Sequence, residues 1–129
     1  MRMFLDTSTP LTKLFLISDS GEQKYFEWES GRGLSKGLLL FIKNNLNSIK
    51  ADFSDLTAVA IYKGPGSFTG LRIGATVMNT LADSLDIPIV GSTGEDWLSV
   101  AQQRLNDNEN DKIVLPFYGA EANITTPRK

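Results

Sequence analysis

The chain has 129 residues with 41% apolar and 22% charged side chains, a composition typical of one globular domain, which excludes disordered and collagen-like architectures. Its formal charge of −2 gives no basic footprint for nucleic acid over the whole molecule, so any such contact would have to be local. The sequence contains neither cysteine nor histidine, which excludes disulfides, thiolate nucleophiles, imidazole acid–base catalysis and the commonest zinc ligands.

The first thirty residues predict three strands joined by short turns. Residues 2–6, 12–18 and 24–29 are rich in apolar and aromatic side chains, and the sequence DSGE at 19–22 is a turn signal. Three strands with such short links favour an antiparallel meander. The first apolar stretch is interrupted at Asp6, and no stretch approaches the ~20 apolar residues of a membrane span. We therefore expect a cytoplasmic protein without membrane contact.

The remainder of the chain alternates predicted helices and strands. Apolar residues at helical spacing predict a helix over 34–49, and the run LTAVAIY at 56–62 is typical of a central strand covered on both faces. A glycine-rich loop follows, and after it come a helix over about 68–85, a strand over 87–91, a helix over about 94–105 and a last strand, KIVLPFY, over 112–118.

The order βββαβαβαβ predicts an α/β fold in which a mixed sheet carries helices on its faces. By analogy, this is the order of a single actin-like (ASKHA, ribonuclease-H-like) lobe, and an analogy of fold does not establish function. We expect the lobe to span residues 1–118 and the tail at 119–129 to be irregular.

The glycine-rich loop KGPGSFTGLRIG does not fit either common nucleotide-binding pattern. A Walker loop needs a lysine directly after its last glycine, whereas Gly70 is followed by Leu71 and Arg72. The dinucleotide pattern is matched at Gly64 and Gly66, but its third glycine comes one position late.

The same loop is better explained as a sharp turn from strand to helix. Gly64 and Gly66 permit backbone angles that a side chain would forbid, Pro65 fixes one more angle, and Ser67 is the expected N-cap of the following helix. Free amides at the first helical turn could also hold an anion. The residues of this structural loop or anion site are Gly64, Pro65, Gly66, Ser67, Thr69 and Arg72.

Two helices carry more apolar residues than one buried face requires. On the second helix Ile73 and Val77 lie outside the main apolar face, and on the first helix Leu39 and Leu40 do. Scattered surface leucines are common, but two such helices in a small domain favour a partner-binding surface. Glycines four apart would let another helix approach closely. The predicted partner-binding residues are Leu39, Leu40, Lys43, Gly70, Ile73, Gly74 and Val77.

Lysines seven residues apart, at Lys36, Lys43 and Lys50, form a basic row on the first helix. We interpret this row as a solvated face, and the alternative is a contact with an acidic partner or an RNA backbone.

A carboxylate followed by three hydroxyls, Asp6, Thr7, Ser8 and Thr9, ends the first strand. This could be a vestigial phosphate loop of the kind found in actin-like ATPases, or a turn in which short polar side chains bond their own backbone. A ribonuclease-H-type nuclease is disfavoured, because two-metal catalysis needs several converging acidic residues and Asp6 is the only one at an inner strand end.

Four stretches of the chain together resemble a known family. MRMFLDTST, GRGLS, GPGSFTGLRIG and IPIVGSTGEDWL, spread over about residues 1–105, are similar in sequence and spacing to the TsaB (YeaZ) family of tRNA threonylcarbamoyladenosine biosynthesis. Two details depart from that family: Leu34 stands where a histidine is typical, and Met78-Asn79-Thr80 replaces Ala-Lys-Gly. The tail PFYGAEANITTPRK lacks the expected Asp-Ala-Arg pattern, and the family's second lobe is expected to be absent.

The resemblance implies a non-catalytic partner or scaffold of TsaD, the enzyme that transfers a threonylcarbamoyl group to a tRNA adenosine next to the anticodon. It further implies that TsaE belongs to the same assembly, that tRNA is contacted mainly through the complex, and that the protein is a homodimer when alone. The TsaB–TsaD contact resembles a bundle of the first two helices of each protein, which correspond here to about 34–49 and 68–85. No catalytic residue, metal or cofactor is implied for this chain.

Two alternatives stay open at the level of sequence. One is a nucleotide-dependent transferase or glycoprotease-like enzyme that uses Asp6 to Thr9 and the glycine loop, since phosphoryl transfer can proceed with carboxylates and metal alone. The other is a homodimeric interaction module with a different partner.

Overall fold

The computed structural model describes residues 1–117, which form one sheet with helices on both faces. Its strands and helices fall within a few residues of the predicted positions. The strands are β1 (Arg2–Asp6), β2 (Leu11–Ile17), β3 (Gln23–Glu29), β4 (Ala58–Tyr62) and β5 (Ile89–Ser92), and the helices are α1 (Leu34–Ser48), α2 (Phe68–Leu85) and α3 (Trp97–Asn106).

The sheet has the strand order β3-β2-β1-β4-β5 and is mixed, as predicted. The first three strands form an antiparallel meander, while β1, β4 and β5 run parallel to one another. Parallel neighbours need crossover connections, and the two helices α1 and α2 provide them. The expected α/β fold class is therefore confirmed.

Alternate residues of the central strands face different helices. One face carries Leu5, Leu14 and Val59, all fully buried, and is covered by α1 and α2. The opposite face carries Phe4 and Ala60 and is covered in part by α3, whose Trp97 lies with its ring centroid 6.4 Å from that of Phe4. Because both faces are apolar, the central strands lack a polar alternation, which is the pattern that the sequence of β4 displays.

The last predicted strand, at 112–118, is wrong over its described part, because residues 112–117 contain no strand. Instead residues 110–117, here called the edge segment, run along β5 and bond to it largely through side chains. The Ile89 and Gly91 amides donate to the side chains of Asn110 and Asp111 at 3.1 and 2.9 Å. Lys112 then has a φ of 67°, which departs from extended backbone. The predicted tail at 119–129 lies outside the described residues.

Arg104 of α3 fixes the edge segment to the sheet. Its guanidinium donates to the Asp111 carboxylate at 2.5 and 3.0 Å, to Glu109 at 2.7 Å and to the Gly91 carbonyl at 2.8 Å. The bond to Asp111 raises the pKa of Arg104 further above its ordinary value, against the opposing effect of burial. Burial by itself would raise the pKa of Asp111, but the bonds from Arg104 and from the Gly91 amide outweigh it and hold that pKa below its usual range.

A second anchor of the edge segment lies on α2. The Asn79 carboxamide accepts from the Val114 amide at 2.8 Å and donates to the Val114 carbonyl at 2.9 Å. The Val114 side chain is buried, whereas Ile113, Leu115 and Phe117 point outward and are 65%, 72% and 46% exposed. One flank of α2 is therefore occupied by the edge segment.

Candidate functional site

The glycine loop and the turn after β1 are bonded to each other. The Ser67 amide donates to the Ser8 carbonyl at 2.8 Å. A Cβ added to Gly66 would lie 2.5 Å from the Ser8 Cβ, so the residue must be glycine for the two loops to touch. The start of α2 is thereby held against the end of β1.

Thr7 makes the closest contact between this turn and α2. Its side chain is fully buried, and its hydroxyl donates to the Gly70 carbonyl at 2.7 Å. A Cβ on Gly70 would collide with the Thr7 carbonyl oxygen, and one on Gly74 with the Thr7 hydroxyl oxygen. The close approach that these glycines permit is therefore made by Thr7 of the same chain, and the expectation that another helix makes it is wrong.

The polar side chains of the β1 turn are engaged in local hydrogen bonds. Asp6 Oδ1 accepts from the Ser8 amide at 2.9 Å and from the Ser8 hydroxyl at 2.6 Å. The Thr9 hydroxyl donates to the Leu11 carbonyl at 3.1 Å and accepts from the Leu11 amide at 3.2 Å. This is the pattern of Asx and Ser/Thr turns. Of the two sequence interpretations of Asp6 to Thr9, the geometry favours the structural turn over the phosphate loop.

The glycine loop itself agrees with the prediction in all but one respect. Ser67 is the N-cap of α2 and accepts from the Gly70 amide at 3.2 Å, and Gly64 has a φ of 120°. Gly66 does not have a positive φ, so its glycine is required by the contact with Ser8 and not by its backbone angle. The Tyr62 hydroxyl supports the loop by donating to the Pro65 carbonyl at 3.0 Å, and burial followed by the charge of Asp6 raises the pKa of Tyr62.

Two adjoining grooves follow the flank of α2 that faces α1, on the side away from the edge segment. The first has a volume of about 380 Å³, and the second, of about 480 Å³, continues to the turns after β1 and β3. Ser35 of α1 and Thr69 and Ile73 of α2 line both. The residues that line only the first groove are Arg72, Thr76 and Val77.

Two large apolar side chains of α1 are exposed, and the first of them, Leu39, lies one helical turn after Ser35, which lines both grooves. Leu39 and Leu40 are 52% and 60% exposed, as the helical periodicity predicted. Ile73 and Val77 are half-buried and pack against the core below the groove. Here the name helix face denotes the surface formed by Leu39, Leu40, Ile73 and Val77. These four are the apolar residues that the helical pattern places outside the main buried faces of α1 and α2.

Phe68, the first residue of α2, lies at the N-terminal end of that helix and was not among the residues predicted from the sequence. It is 56% exposed, and the Arg72 guanidinium lies over its ring, 5.5 Å from the centroid. The spacing of four residues between an aromatic side chain and a cation on one helix was the signal that could have indicated this pair.

The basic row of α1 is shorter than predicted. Lys36 and Lys43 are exposed on the helix, but α1 ends at Ser48 and Lys50 follows with a φ of 62°. Because Lys50 is outside the helix, only two of the three lysines share its surface at helical spacing. Lys43 lies one turn from Leu39 and contributes a cation to the rim of the helix face.

Residues 1–117 contain no group of three or more aspartates and glutamates placed to hold a metal ion. Likewise, none of the helices within this range combines the length and apolar character needed to cross a membrane.

Comparisons with known proteins agree on one family. The family model described as TsaD, tRNA N6-adenosine threonylcarbamoyltransferase, matches residues 29–118. The protein named tRNA threonylcarbamoyladenosine biosynthesis protein TsaB from Haemophilus influenzae is 31% identical over 106 residues, which cover 82% of this chain and 44% of the relative. The protein of the same name from Bacillus subtilis is 39% identical over 75 residues, which cover 58% of this chain and 31% of the relative.

Solved structures give the same result for the fold. YeaZ from Pseudomonas aeruginosa superposes with a TM-score of 0.68 at 27% identity, covering 83% of this chain and 49% of that protein. The actin-like lobe and the family resemblance expected from the sequence are thus confirmed. The chain spans less than half the length of the curated relatives that it matches.

Proposed function

We propose that this chain, which belongs to the family described as TsaD, tRNA N6-adenosine threonylcarbamoyltransferase, and is a TsaB-type (YeaZ) member of it, serves as a non-catalytic partner of TsaD in forming threonylcarbamoyladenosine in tRNA. In this role it binds and stabilises the transferase, which modifies the adenosine next to the anticodon. The curated relatives are named for threonylcarbamoyladenosine biosynthesis, which supports a role of this chain in that process. Its role as a partner of TsaD is our inference.

The helix face is the observation that carries the proposal. Two leucines of α1, Leu39 and Leu40, are more than half exposed. Ile73 and Val77 of α2 are half-buried and line a groove together with Ser35, which lies one helical turn before Leu39. A second pair of helices that covered this surface would remove these apolar side chains from water. Burial of such a patch contributes about 25 cal/mol for each Å² of apolar surface removed from water. An apolar core with a polar rim is the usual composition of a specific interface, and Lys43 and Arg72 supply the rim here.

A non-catalytic role is supported by the way in which the polar residues near the groove are used. Asp6, Thr7, Ser8 and Thr9 bond to one another, to α2 or to the following strand, so their positions are explained by folding. The glycine loop is likewise explained by its contact with Ser8. We propose that these residues position α2, and hence the helix face, without taking part in chemistry.

The wider assembly follows from the same proposal. TsaE joins TsaD and this chain in one cytoplasmic complex, and tRNA is contacted mainly through that complex. When TsaD is absent, two copies of this chain associate through the same helix face. We assign Leu39, Leu40, Lys43, Ile73 and Val77 to the contact. We omit Gly70 and Gly74 because both are buried on the side of α2 that lies against Thr7.

Complex formation tests the proposal directly. The full chain and its cognate TsaD are mixed at micromolar concentration and analysed by size-exclusion chromatography with light scattering, which also gives the oligomeric state of each protein alone. We expect a stable complex, with Leu40→Glu weakening it at least tenfold, or about 1.4 kcal/mol, because the introduced charge is desolvated without a partner. Failure of the wild-type proteins to form a complex would contradict the proposal.

Leu115→Glu is the matched control, since Leu115 is a leucine of comparable exposure on the edge segment, along the other flank of α2. It should bind TsaD as the wild type does. Val77→Glu is a less clean probe, because Val77 is half-buried in the core and its replacement also lowers the free energy of unfolding. If Leu40→Glu and Leu115→Glu bind equally well, the helix face is not the contact.

A further inference from the structure

Arg2 stands where β1 meets α3, on the face of the sheet opposite to the helix face. It is the first residue of β1 and pairs with Ile17 of β2. Its guanidinium Nη1 donates to Gln102 Oε1 at 2.7 Å and to Asn106 Oδ1 at 2.8 Å. Gln102 and Asn106 are one helical turn apart on α3, so their two carboxamide oxygens hold the guanidinium in one orientation.

The charge of Arg2 is not neutralised by the described part of the chain. Within residues 1–117 no carboxylate oxygen lies within 4.0 Å of its nitrogens, whereas Arg104 has Glu109 and Asp111 at 2.7 and 2.5 Å. Amide oxygens orient a guanidinium but carry no charge. Arg2 uses Nη1 for both bonds, so Nε and Nη2 keep three N–H groups without a partner among these residues.

A small cavity lies in front of these donors. Its volume is about 270 Å³, and Ser18, Asp19 and Gly21 line it together with Arg2, Gln102 and Asn106. Because the oxygens of both carboxamides face Arg2, their NH₂ groups are left as further donors beside the cavity. The volume is below the roughly 300–1,000 Å³ of sites that enclose drug-sized ligands, which suits one small group more than a whole nucleotide.

We propose that this cavity binds a phosphate group, held by the free edge of the Arg2 guanidinium and by the carboxamide NH₂ groups of Gln102 and Asn106. A planar guanidinium with two parallel N–H groups matches two oxygens of a phosphate, and such charge-assisted bonds are about twice as strong as neutral ones. The group is either free phosphate or a phosphate of a polynucleotide backbone.

Acidic groups near the cavity are already paired with cations. Asp19 Oδ1 accepts from the amino group of Met1 at 3.0 Å, and Glu22 Oε2 lies 3.1 Å from Lys24 Nζ. Asp19 is 88% exposed at its side chain, so its charge is also screened by water. The net charge next to the cavity therefore remains that of Arg2.

Titration with inorganic phosphate tests the site in the full chain. The amide and side-chain NH resonances of Arg2, Gln102 and Asn106 are followed by NMR, with sodium chloride at matched ionic strength as the reference. We expect saturable shifts at these three residues, at least tenfold weaker binding in Arg2→Gln, and unchanged binding in Lys112→Gln, which removes the same unit of charge from an exposed position.

A second variant neutralises the charge of the Arg2 guanidinium without shortening any side chain. Gln102→Glu places a carboxylate beside the guanidinium, so it should abolish phosphate binding while the protein stays folded. Phosphate binding that is unchanged in Gln102→Glu would overturn the proposal. Equal, non-saturating shifts in the wild type and Arg2→Gln would show an adventitious ion only and would also overturn it.

A short single-stranded RNA distinguishes the two sources. If the RNA binds in an Arg2-dependent manner and inorganic phosphate displaces it, the site takes a backbone phosphate. If inorganic phosphate alone gives Arg2-dependent binding, the site takes the free ion. The assay contains no TsaD, so its outcome is independent of the proposed complex.

Discussion

Replacing Thr7 with valine removes one hydroxyl from the interior while keeping the shape of the side chain. In the wild type this hydroxyl donates to the Gly70 carbonyl at 2.7 Å, and the side chain is fully buried between β1 and α2. Water cannot replace the bond unless the contact opens. The variant therefore measures how strongly the β1 turn holds the start of α2.

We expect Thr7→Val to lower the free energy of unfolding by about 1–2 kcal/mol, the usual cost of losing one buried hydrogen bond. For a domain of this size that corresponds to a decrease of roughly 4–8 °C in the midpoint of thermal unfolding. Thr9→Val is the matched control, because the Thr9 hydroxyl bonds to Leu11 at the exposed surface, and it should change stability by less than about 0.5 kcal/mol.

Thermal and urea unfolding, followed by circular dichroism, give both quantities. If Thr7→Val and Thr9→Val are equally stable, the β1 turn does not brace α2 and the structural interpretation of Asp6 to Thr9 is refuted. If Thr7→Val is destabilised and still binds TsaD at low temperature, the turn acts on folding alone.

Two further predictions concern the glycine loop and the edge segment. Gly66→Ala should lower the free energy of unfolding, measured by urea denaturation, by about 1–3 kcal/mol, because its Cβ would lie 2.5 Å from that of Ser8. Gly33→Ala is the control and should be neutral, since its Cβ would meet nothing closer than 4.0 Å. Equal values for the two variants would show that the loops separate easily. Asp111→Asn should lower the midpoint of thermal unfolding at pH 7, because the Asp111 carboxylate has a lowered pKa in the folded state. Such a carboxylate stabilises the fold above its unfolded-state pKa of about 3.9, and this stabilisation is lost as the pH falls through the folded-state pKa. The difference from wild type should therefore shrink below about pH 4, and a difference that does not depend on pH would contradict this cause.

Most of the fold follows from the sequence because its elements have clear periodicity. The run at β4 lacks polar alternation, and the structure covers that strand on both faces. The exposed positions Leu39 and Leu40 were predicted from the helical pattern alone, since an apolar residue outside the buried stripe of a helix must face water or a partner. Local patterns of this kind depend only on neighbouring residues.

The features that the sequence did not reveal depend on contacts between distant residues. Residues 112–117 have the composition of a strand, yet the side chains of Asn110 and Asp111 take the bonds that a sixth strand would have made. Gly66 is a glycine because Ser8 approaches it, and no property of the loop sequence indicates that neighbour. The Arg2 cavity is lined by residues about a hundred positions apart in the sequence, so no local motif could have predicted it.

The edge segment also affects whether a further strand could be added at the β5 border of the sheet. A strand at the border of a sheet exposes unpaired amides and carbonyls, which can recruit a strand from another chain and begin aggregation. On β5 those groups are taken: the Ile89 amide and carbonyl bond to Asn110 and Asp111, and the Gly91 amide and carbonyl bond to Asp111 and Arg104. At the other border, β3 presents charged side chains at Lys24, Glu27 and Glu29. Side-chain bonds at one border and charge at the other therefore disfavour strand addition from a second molecule, which favours association through the helices.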